Sequence, residues 1–146
     1  MNKTINTPSS LTNTAIDIKF KLSALWLVLM MLYIYTDFYT LLVPGTMEEI
    51  LSGYKDGMIV TQVFLLVSAV VTIIPAFMIF LSLILKTKTN RWLNMILGIL
   101  HIAIGAVNLV GATWGYYIFY GVSLTITAFL IVVFAWKWPK NEKVDD

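Results

Sequence analysis

Four long runs of apolar residues dominate this chain of 146 residues. Each run reaches the roughly 20 residues that a helix needs to cross about 30 Å of hydrocarbon at about 1.5 Å per residue. Apart from Asp37, the runs contain no Asp, Glu, Lys or Arg, whereas a helix of a soluble protein carries a charged face. The pattern therefore predicts four membrane-spanning helices. The runs are 22–43, 58–85, 93–112 and 116–136.

The composition excludes the ordinary soluble classes of protein. Hydrophobic residues make up 59% of the chain and charged residues only 12%, against about 25% charged residues in a typical soluble domain. A small soluble domain has too much surface to cover with so few charges, which excludes a cytosolic enzyme, a disordered tail and a nucleic-acid binder. The chain has no cysteine, which removes thiolate metal sites and iron–sulfur clusters. We therefore expect no metal, no cofactor and no nucleic-acid partner.

The predicted fold class is all-α: a polytopic membrane protein whose four transmembrane helices form an antiparallel bundle. Antiparallel neighbours follow from connections as short as residues 86–91. The membrane domain is expected over residues 20–138, with a flexible tail at 1–19 and a short tail at 139–146. The expected helices are about 21–43, 58–85, 92–112 and 115–138.

Two local patterns refine this prediction. In the longest connection, Thr46 and Glu49 have the spacing of a capping box, in which the Thr hydroxyl accepts a first-turn N–H and the Glu reaches back to the cap. A brief helix on the membrane surface and an irregular loop are equally expected there. Pro75 lies inside the second run and should kink its helix, because proline lacks the N–H that the carbonyl four residues earlier needs. A neighbouring helix must then satisfy that carbonyl.

The basic residues predict the orientation in the membrane. Nine of the ten Lys and Arg residues lie before the first run, between the second and third runs, or after the fourth, and only Lys55 lies on the other side. The positive-inside rule therefore places both termini in the cytoplasm. We expect a multi-pass protein of the inner (plasma) membrane. Its first partner is the lipid bilayer, and a second copy or another membrane protein is a further candidate partner.

Asp37 is the single formal charge inside the four runs. A carboxylate at the centre of a spanning helix costs about 2.5–3.5 kcal/mol on insertion scales, so such residues face protein or water and often mark a functional pathway. Asp37 lies six residues before Val43, about 9 Å below the outer boundary at about 1.5 Å per residue. Two interpretations remain open, a hydrogen-bonded packing residue and a functional group. In both, the side chain is expected to face the interior of the bundle.

Small and polar residues form a continuous stripe along the third predicted helix, at spacings of three and four residues. Such residues let helices approach closely and bond to one another in lipid, where apolar surface gives no drive for association. The stripe is therefore expected to be the packing face of this helix, and a proton-relay or ligand-binding face is the alternative. The stripe consists of Asn94, Gly98, His101 (the only histidine), Gly105, Asn108 and Ala112.

Several polar residues on different helices fall at a similar depth in the outer half of the membrane. Asp37 is level with Gly105 when both are counted from the outer boundary, and Tyr33 lies one turn from Asp37 on the same face. A single polar layer at this depth is therefore a candidate functional site, and its convergence depends on how each helix is rotated. The members of this layer are Tyr33, Asp37, Gln62, His101, Asn108 and Tyr120.

Three stretches of the chain resemble a known family: KLSALWLVLMMLYIYTDFYTLLVPG at 21–45, IFLSLILKTKTNRWLN at 79–94 and YYIFYG at 116–121. The chain is similar there to a family of small bacterial four-helix membrane proteins whose function is unknown, and the resemblance covers residues 19–139. It implies the four-helix topology and a bacterial inner membrane. It implies no activity and no site residues.

Three functions remain open on the sequence alone. The predicted function is a non-enzymatic accessory or structural bundle, which needs no chemistry and agrees with the absence of catalytic, haem-ligating and phosphate-binding motifs. The first alternative is a small proton-coupled transporter or channel with Asp37 as the titrating group. The second alternative is a quinone-linked partner of a membrane oxidoreductase, which would bind the quinone through His101 and tyrosines.

Overall fold

The computed structural model describes residues 16–138, and its fold is all-α as the sequence predicts. Four of the helices, α1, α3, α4 and α5, are long and apolar enough to cross a membrane. Of the two predicted tails, residues 1–15 and 139–146 lie outside the described residues. In chain order the elements are α1 (Ile18–Leu41), α2 (Thr46–Leu51), β1 (Tyr54–Lys55), β2 (Met58–Ile59), α3 (Gln62–Ile84), α4 (Thr87–Leu109) and α5 (Gly115–Trp136).

The long helices alternate in direction, so the described structure has two ends. We call the end where α1 begins and α5 finishes the terminal end, and the opposite end, which carries α2 and the β1–β2 hairpin, the loop end. α1 packs against α3 on one side and α5 on the other, α4 packs mainly against α5, and α3 touches α4 only a little. α1 and α5 therefore each pack between two other long helices, α1 between α3 and α5, and α5 between α1 and α4.

Polar and cation–π contacts join α1 to the helices on its two sides. At the terminal end, the Lys19 ammonium donates to the carbonyls of Leu83 at 3.2 Å and Leu85 at 2.9 Å, which caps the end of α3. The Ser23 hydroxyl donates to the Ile79 carbonyl at 2.8 Å. On the other side, the Lys21 ammonium lies 5.8 Å from the centre of a phenylalanine ring on α5.

The apolar core lies in the terminal half of the structure. Leu22, Trp26 and Leu29 are fully buried and follow one another at helical spacing, which gives α1 a single core face. α3 and α4 each add a buried methionine to this core, and α5 adds a row of four residues. These further core residues are Met78, Met95, Leu124, Ala128, Ile131 and Ala135.

Two glycines let α4 approach α5 closely. A β-carbon on Gly98 would lie 2.7 Å from Val132 Cγ2, and one on Gly105 would lie 2.6 Å from Thr125 Oγ1. Both distances are shorter than ordinary van der Waals contact, so any side chain at these positions would push the helices apart. Close approach through small residues is how helices associate in lipid.

The helix bounds differ from the predicted ones mainly at α4. This helix begins at Thr87 and not at residue 92, because the basic connection contains neither glycine nor proline and simply continues as helix. Only Leu85 and Lys86 separate α3 from α4. At its other end α4 stops at Leu109, three residues early, since Gly111 takes a φ of 79° and turns the chain toward α5. The remaining shifts are of at most four residues: α1 covers 18–41, α3 62–84 and α5 115–136.

The connection at the loop end contains the brief helix that was one of the two expectations, but the predicted capping box is wrong. Gly45, with a φ of 88°, is the N-cap of α2, and Thr46 is already helical. Glu49 does not reach back to the cap, because its Oε1 accepts the N–H of Gly57 at 2.8 Å. This bond holds α2 against the β1–β2 hairpin, whose turn residues Asp56 and Gly57 have φ values of 52° and 74°. Positive φ at both turn residues is the hairpin geometry that Asp-Gly favours.

Candidate functional site

A cavity of about 750 Å³ opens between α1, α4 and α5 at the loop end, and we call it the loop-end cavity. The apolar core lies mainly in the terminal half, and the cavity lies beyond it at the loop end. Gly105 of α4 and Gly121 of α5 both line it. The connections on either side, α1 to α2 and α4 to α5, complete its wall.

One face of α1 supplies the polar wall of the cavity. Tyr33, Thr36, Asp37 and Thr40 all line it, and their spacing of three, one and three residues places them on one side of a helix. The hydroxyls of Thr36 and Thr40 donate to carbonyls of their own helix, at 2.7 and 2.8 Å. Tyr116 of α5 closes this side by donating its hydroxyl to Thr40 Oγ1 at 3.2 Å.

The charge of the cavity wall is predominantly negative. Asp37, Glu49 and Asp56 line it together with a single basic residue, Lys55. Asp37 is exposed, and its carboxylate has no hydrogen-bond or ion-pair partner among residues 16–138. Three of these four side chains come from the α2–hairpin segment, so the bond from Gly57 to Glu49 brings them to the cavity.

Aromatic rings form much of the remaining wall. Tyr33, Trp114, Tyr116 and Tyr117 line the cavity, and the ring centres of Trp114 and Tyr116 are 6.5 Å apart. The rings of Tyr116 and Tyr117 meet edge to face at 6.2 Å. An aromatic ring presents a negative face, so these rings and the carboxylates favour a positively charged occupant.

The structure gathers three members of the predicted polar layer and separates the other three. Tyr33, Asp37 and Asn108 all line the loop-end cavity. Gln62 lies exposed at the start of α3, which packs on another side of α1, and Tyr120 packs its ring against Tyr39 at 5.8 Å. His101, the sixth member, is buried below the cavity.

His101 lies in the middle of the helices with only 1% of its surface exposed. Its ring packs edge-on against Trp26 at 5.4 Å and Tyr33 at 5.9 Å, both on α1. Its Nδ1 lies 2.8 Å from the carbonyl oxygen of Leu97, one turn earlier on α4. Tyr33 contacts His101 and also lines the cavity, so it stands between the two.

The stripe on α4 divides into two parts. Asn94, Gly98, His101 and Gly105 are buried within the packed helices. Asn108 is exposed and lines the cavity, as does Ala112, which lies beyond the end of α4. The first part therefore packs against the other helices, with Gly105 also at the edge of the cavity, and the second part lies in the cavity wall.

A buried polar cluster in the terminal half was missed in the sequence. Trp26 Nε1 donates to Asn94 Oδ1 at 2.6 Å, Asn94 Nδ2 donates to Asn90 Oδ1 at 2.7 Å, and Asn90 Nδ2 donates to the Ser82 carbonyl at 2.6 Å. We call Trp26, Ser82, Asn90 and Asn94 the terminal-half cluster; it joins α1, α3 and α4. The spacing of Asn90 and Asn94 extends the predicted stripe by one turn. Asn90 was not included in the stripe because residues 86–91 were predicted to be a connection between helices.

Four apolar helices of membrane-spanning length, with a polar cavity at one end, define the class: this is a membrane-spanning protein. The family model of DUF6326, a family of unknown function, matches residues 13–145, and the chain belongs to this family. The resemblance to a family of unknown function is thereby confirmed. No curated protein and no solved structure matches the chain significantly. Within residues 16–138, no group of three or more His, Cys, Asp or Glu side chains is placed to hold a metal ion.

Proposed function

We propose that this protein is a non-enzymatic membrane protein that binds a small organic cation in the loop-end cavity. The observation that carries this proposal is Asp37, an intramembrane carboxylate without a protein partner among the described residues, in the wall of a cavity of about 750 Å³. Ligand pockets are typically about 300–1,000 Å³, so the cavity has room for a small molecule. An intramembrane acid that faces a cavity commonly marks a ligand or ion site.

The chemistry of the wall favours a cation over an anion. Three carboxylates and one ammonium line the cavity, so a positive ligand gains Coulomb energy that an anion loses. The Tyr33 and Tyr117 rings add a second attraction for a substituted ammonium group. We assign Asp37 as the anchoring charge, because it is the charged lining residue that a membrane-length helix carries, whereas the other three charged lining residues come from the α2–hairpin segment.

The binding test uses benzyltrimethylammonium as the cation and benzenesulfonate as an anion of similar size, titrated calorimetrically onto protein in lipid nanodiscs. Asp37→Asn keeps the shape of the side chain and removes its charge. We expect this variant to bind the cation at least about tenfold more weakly, a loss of about 1.4 kcal/mol for a charged contact.

Glu48→Gln is the matched control. Glu48 lies on α2 next to Glu49 but does not line the cavity, so the same loss of one charge should leave cation binding within about twofold. Equal weakening by the two variants would show only a general surface-charge effect and would refute the site. Equal affinity of wild type for the cation and the anion would refute the proposed ligand class.

A proton-coupled transporter is the second candidate. The cavity lies at the loop end and the core closes the terminal half, so the structure corresponds to a transporter that is accessible from one end. Transport requires that this closed half open in a second conformation. Uptake of the labelled cation into proteoliposomes under a proton gradient distinguishes the two candidates. Binding without uptake supports the binding protein, and uptake that Asp37→Asn abolishes supports the transporter.

We further propose that both termini lie in the cytoplasm and that the loop-end cavity opens to the outside. The nine-to-one distribution of Lys and Arg supports this orientation. A fluorescent protein fused to the C-terminus should therefore fluoresce, and alkaline phosphatase fused at the same point should be inactive. An active phosphatase fusion and a non-fluorescent protein fusion would contradict this orientation and would indicate that the cavity faces the cytoplasm.

A further inference from the structure

The His101 side chain is a buried titratable group that the cation site does not use. Its two ring nitrogens differ in their surroundings. Nδ1 has the Leu97 carbonyl at 2.8 Å, whereas Nε2 has no hydrogen-bond partner within the part of the chain that the structure describes. A carbonyl accepts and does not donate, so the 2.8 Å contact requires a proton on Nδ1. The neutral ring then leaves a bare nitrogen in an apolar interior.

A second unsatisfied group lies next to it. Pro75 is buried inside α3 and has no N–H, so the Val71 carbonyl lacks the donor that a helix normally supplies four residues later. The Val71 carbonyl also lies beside the His101 ring. The Leu97 carbonyl, in contrast, lies within continuous helix and can accept the N–H of its own fourth neighbour.

We propose that His101 is a proton-binding site inside the membrane domain. A proton from water adds to the free electron pair of Nε2, no covalent bond of the protein breaks, and the ring becomes an imidazolium. Nδ1 then donates to Leu97 as before, and Nε2 donates to the Val71 carbonyl that Pro75 leaves free. One proton thus satisfies both His101 Nε2 and the Val71 carbonyl, which belong to different helices.

The surroundings of the ring both oppose and favour the charge. Burial disfavours the imidazolium, since no carboxylate contacts it. Two charge-assisted hydrogen bonds and the faces of Trp26 and Tyr33 offset this cost. Tyr33 is the one titratable side chain seen in ring contact with His101; α3 contains none, and the tyrosines of α5 lie toward the loop end. Tyr33 also lines the loop-end cavity, which gives water its nearest approach.

Because the chain has a single histidine, the experiment needs no signal assignment. Protein labelled with ¹⁵N-histidine and purified without a histidine tag is placed in lipid nanodiscs and titrated by NMR from about pH 8 to about pH 4, around the ordinary range of histidine. We expect one reversible transition from a ring protonated on Nδ1 alone to a ring protonated on both nitrogens. A ring that stays neutral wherever the fold persists would overturn the proposal.

Pro75→Ala tests the role of Val71. Alanine restores the backbone N–H, so the Val71 carbonyl no longer needs the ring, and the proton affinity of His101 should fall at least about tenfold. Unchanged affinity in a folded variant would overturn the assigned partner. Tyr33→Phe is the matched control: it keeps the ring and should leave the titration unchanged, whereas a weaker proton affinity in this variant would show that the Tyr33 hydroxyl, and not the Val71 carbonyl, accepts the hydrogen bond from protonated Nε2. The proposal does not depend on cation binding, which is measured separately.

Discussion

Replacing Asn94 by leucine should lower the free energy of unfolding by about 2–4 kcal/mol, because it leaves several buried polar groups without partners. Asn94 accepts from Trp26 Nε1 at 2.6 Å and donates to Asn90 Oδ1 at 2.7 Å, and all three residues are fully buried. Leucine has a similar size, so the loss reports the hydrogen bonds more than the packing. Unfolding by sodium dodecyl sulfate in mixed micelles provides the measurement.

Asn108→Leu is the control for this prediction, since Asn108 is exposed at the cavity and the same change should cost less than about 0.5 kcal/mol. A second comparison uses Trp26→Phe, which removes the indole donor. In that background Asn94→Leu should cost about 1 kcal/mol less, because one of the stranded groups is already gone. Additive losses would show that the terminal-half cluster does not act as a unit.

Replacing Gly98 by leucine should destabilise the protein by about 2–3 kcal/mol, because α4 and α5 have no space between them at this point. A β-carbon alone would lie 2.7 Å from Val132 Cγ2, and the stiff, β-branched valine has few alternative rotamers. Leucine gains about 1 kcal/mol of helix propensity over glycine, which reduces the loss without reversing it.

Ala103→Leu provides the comparison for Gly98. Ala103 lies on the exposed side of α4, so the enlarged side chain should reach lipid at a cost below about 0.5 kcal/mol. Thermal unfolding in detergent, followed by circular dichroism, measures both variants. Similar losses of stability in the two variants would show that a larger side chain destabilises α4 on either face, and would contradict the prediction.

The number and type of the long helices could be predicted because length and hydropathy alone decide whether a segment can cross a membrane. The ends of the helices could not, since a membrane helix continues into the polar interface as long as no glycine or proline stops it. Residues 87–91 illustrate this: their charges mark the membrane boundary, and α4 nevertheless contains them. The Asp-Gly signal at 56–57 was readable and would have predicted the hairpin.

The candidate site was predictable in part. Tyr33 and Asp37 share a face of α1 by their spacing, and both line the cavity together with Asn108 of α4, which the prediction placed at the same depth. Gln62 and Tyr120 were grouped with them by depth, but depth does not determine which helices are neighbours or how each is rotated. Glu49 and Asp56 were missed because a bond between α2 and the hairpin brings them to the cavity, and a pattern of charges along the sequence does not reveal such a fold-back.

The position of α1 between α3 and α5 has a consequence for how the fold is assembled. Among the four long helices that the structure describes, α1 is synthesised first and α5 last, yet α1 packs against α5 as well as against α3. At roughly 5–20 residues per second, several seconds pass between completion of Leu41 and of Trp136. Until Asn94 has been synthesised, Trp26 lacks its hydrogen-bond partner, and until α5 has been synthesised it also lacks the α5 row of the core. The nascent chain therefore passes through a stage in which its largest fully buried side chain is not yet covered, and the docking of α5 completes the packing around α1.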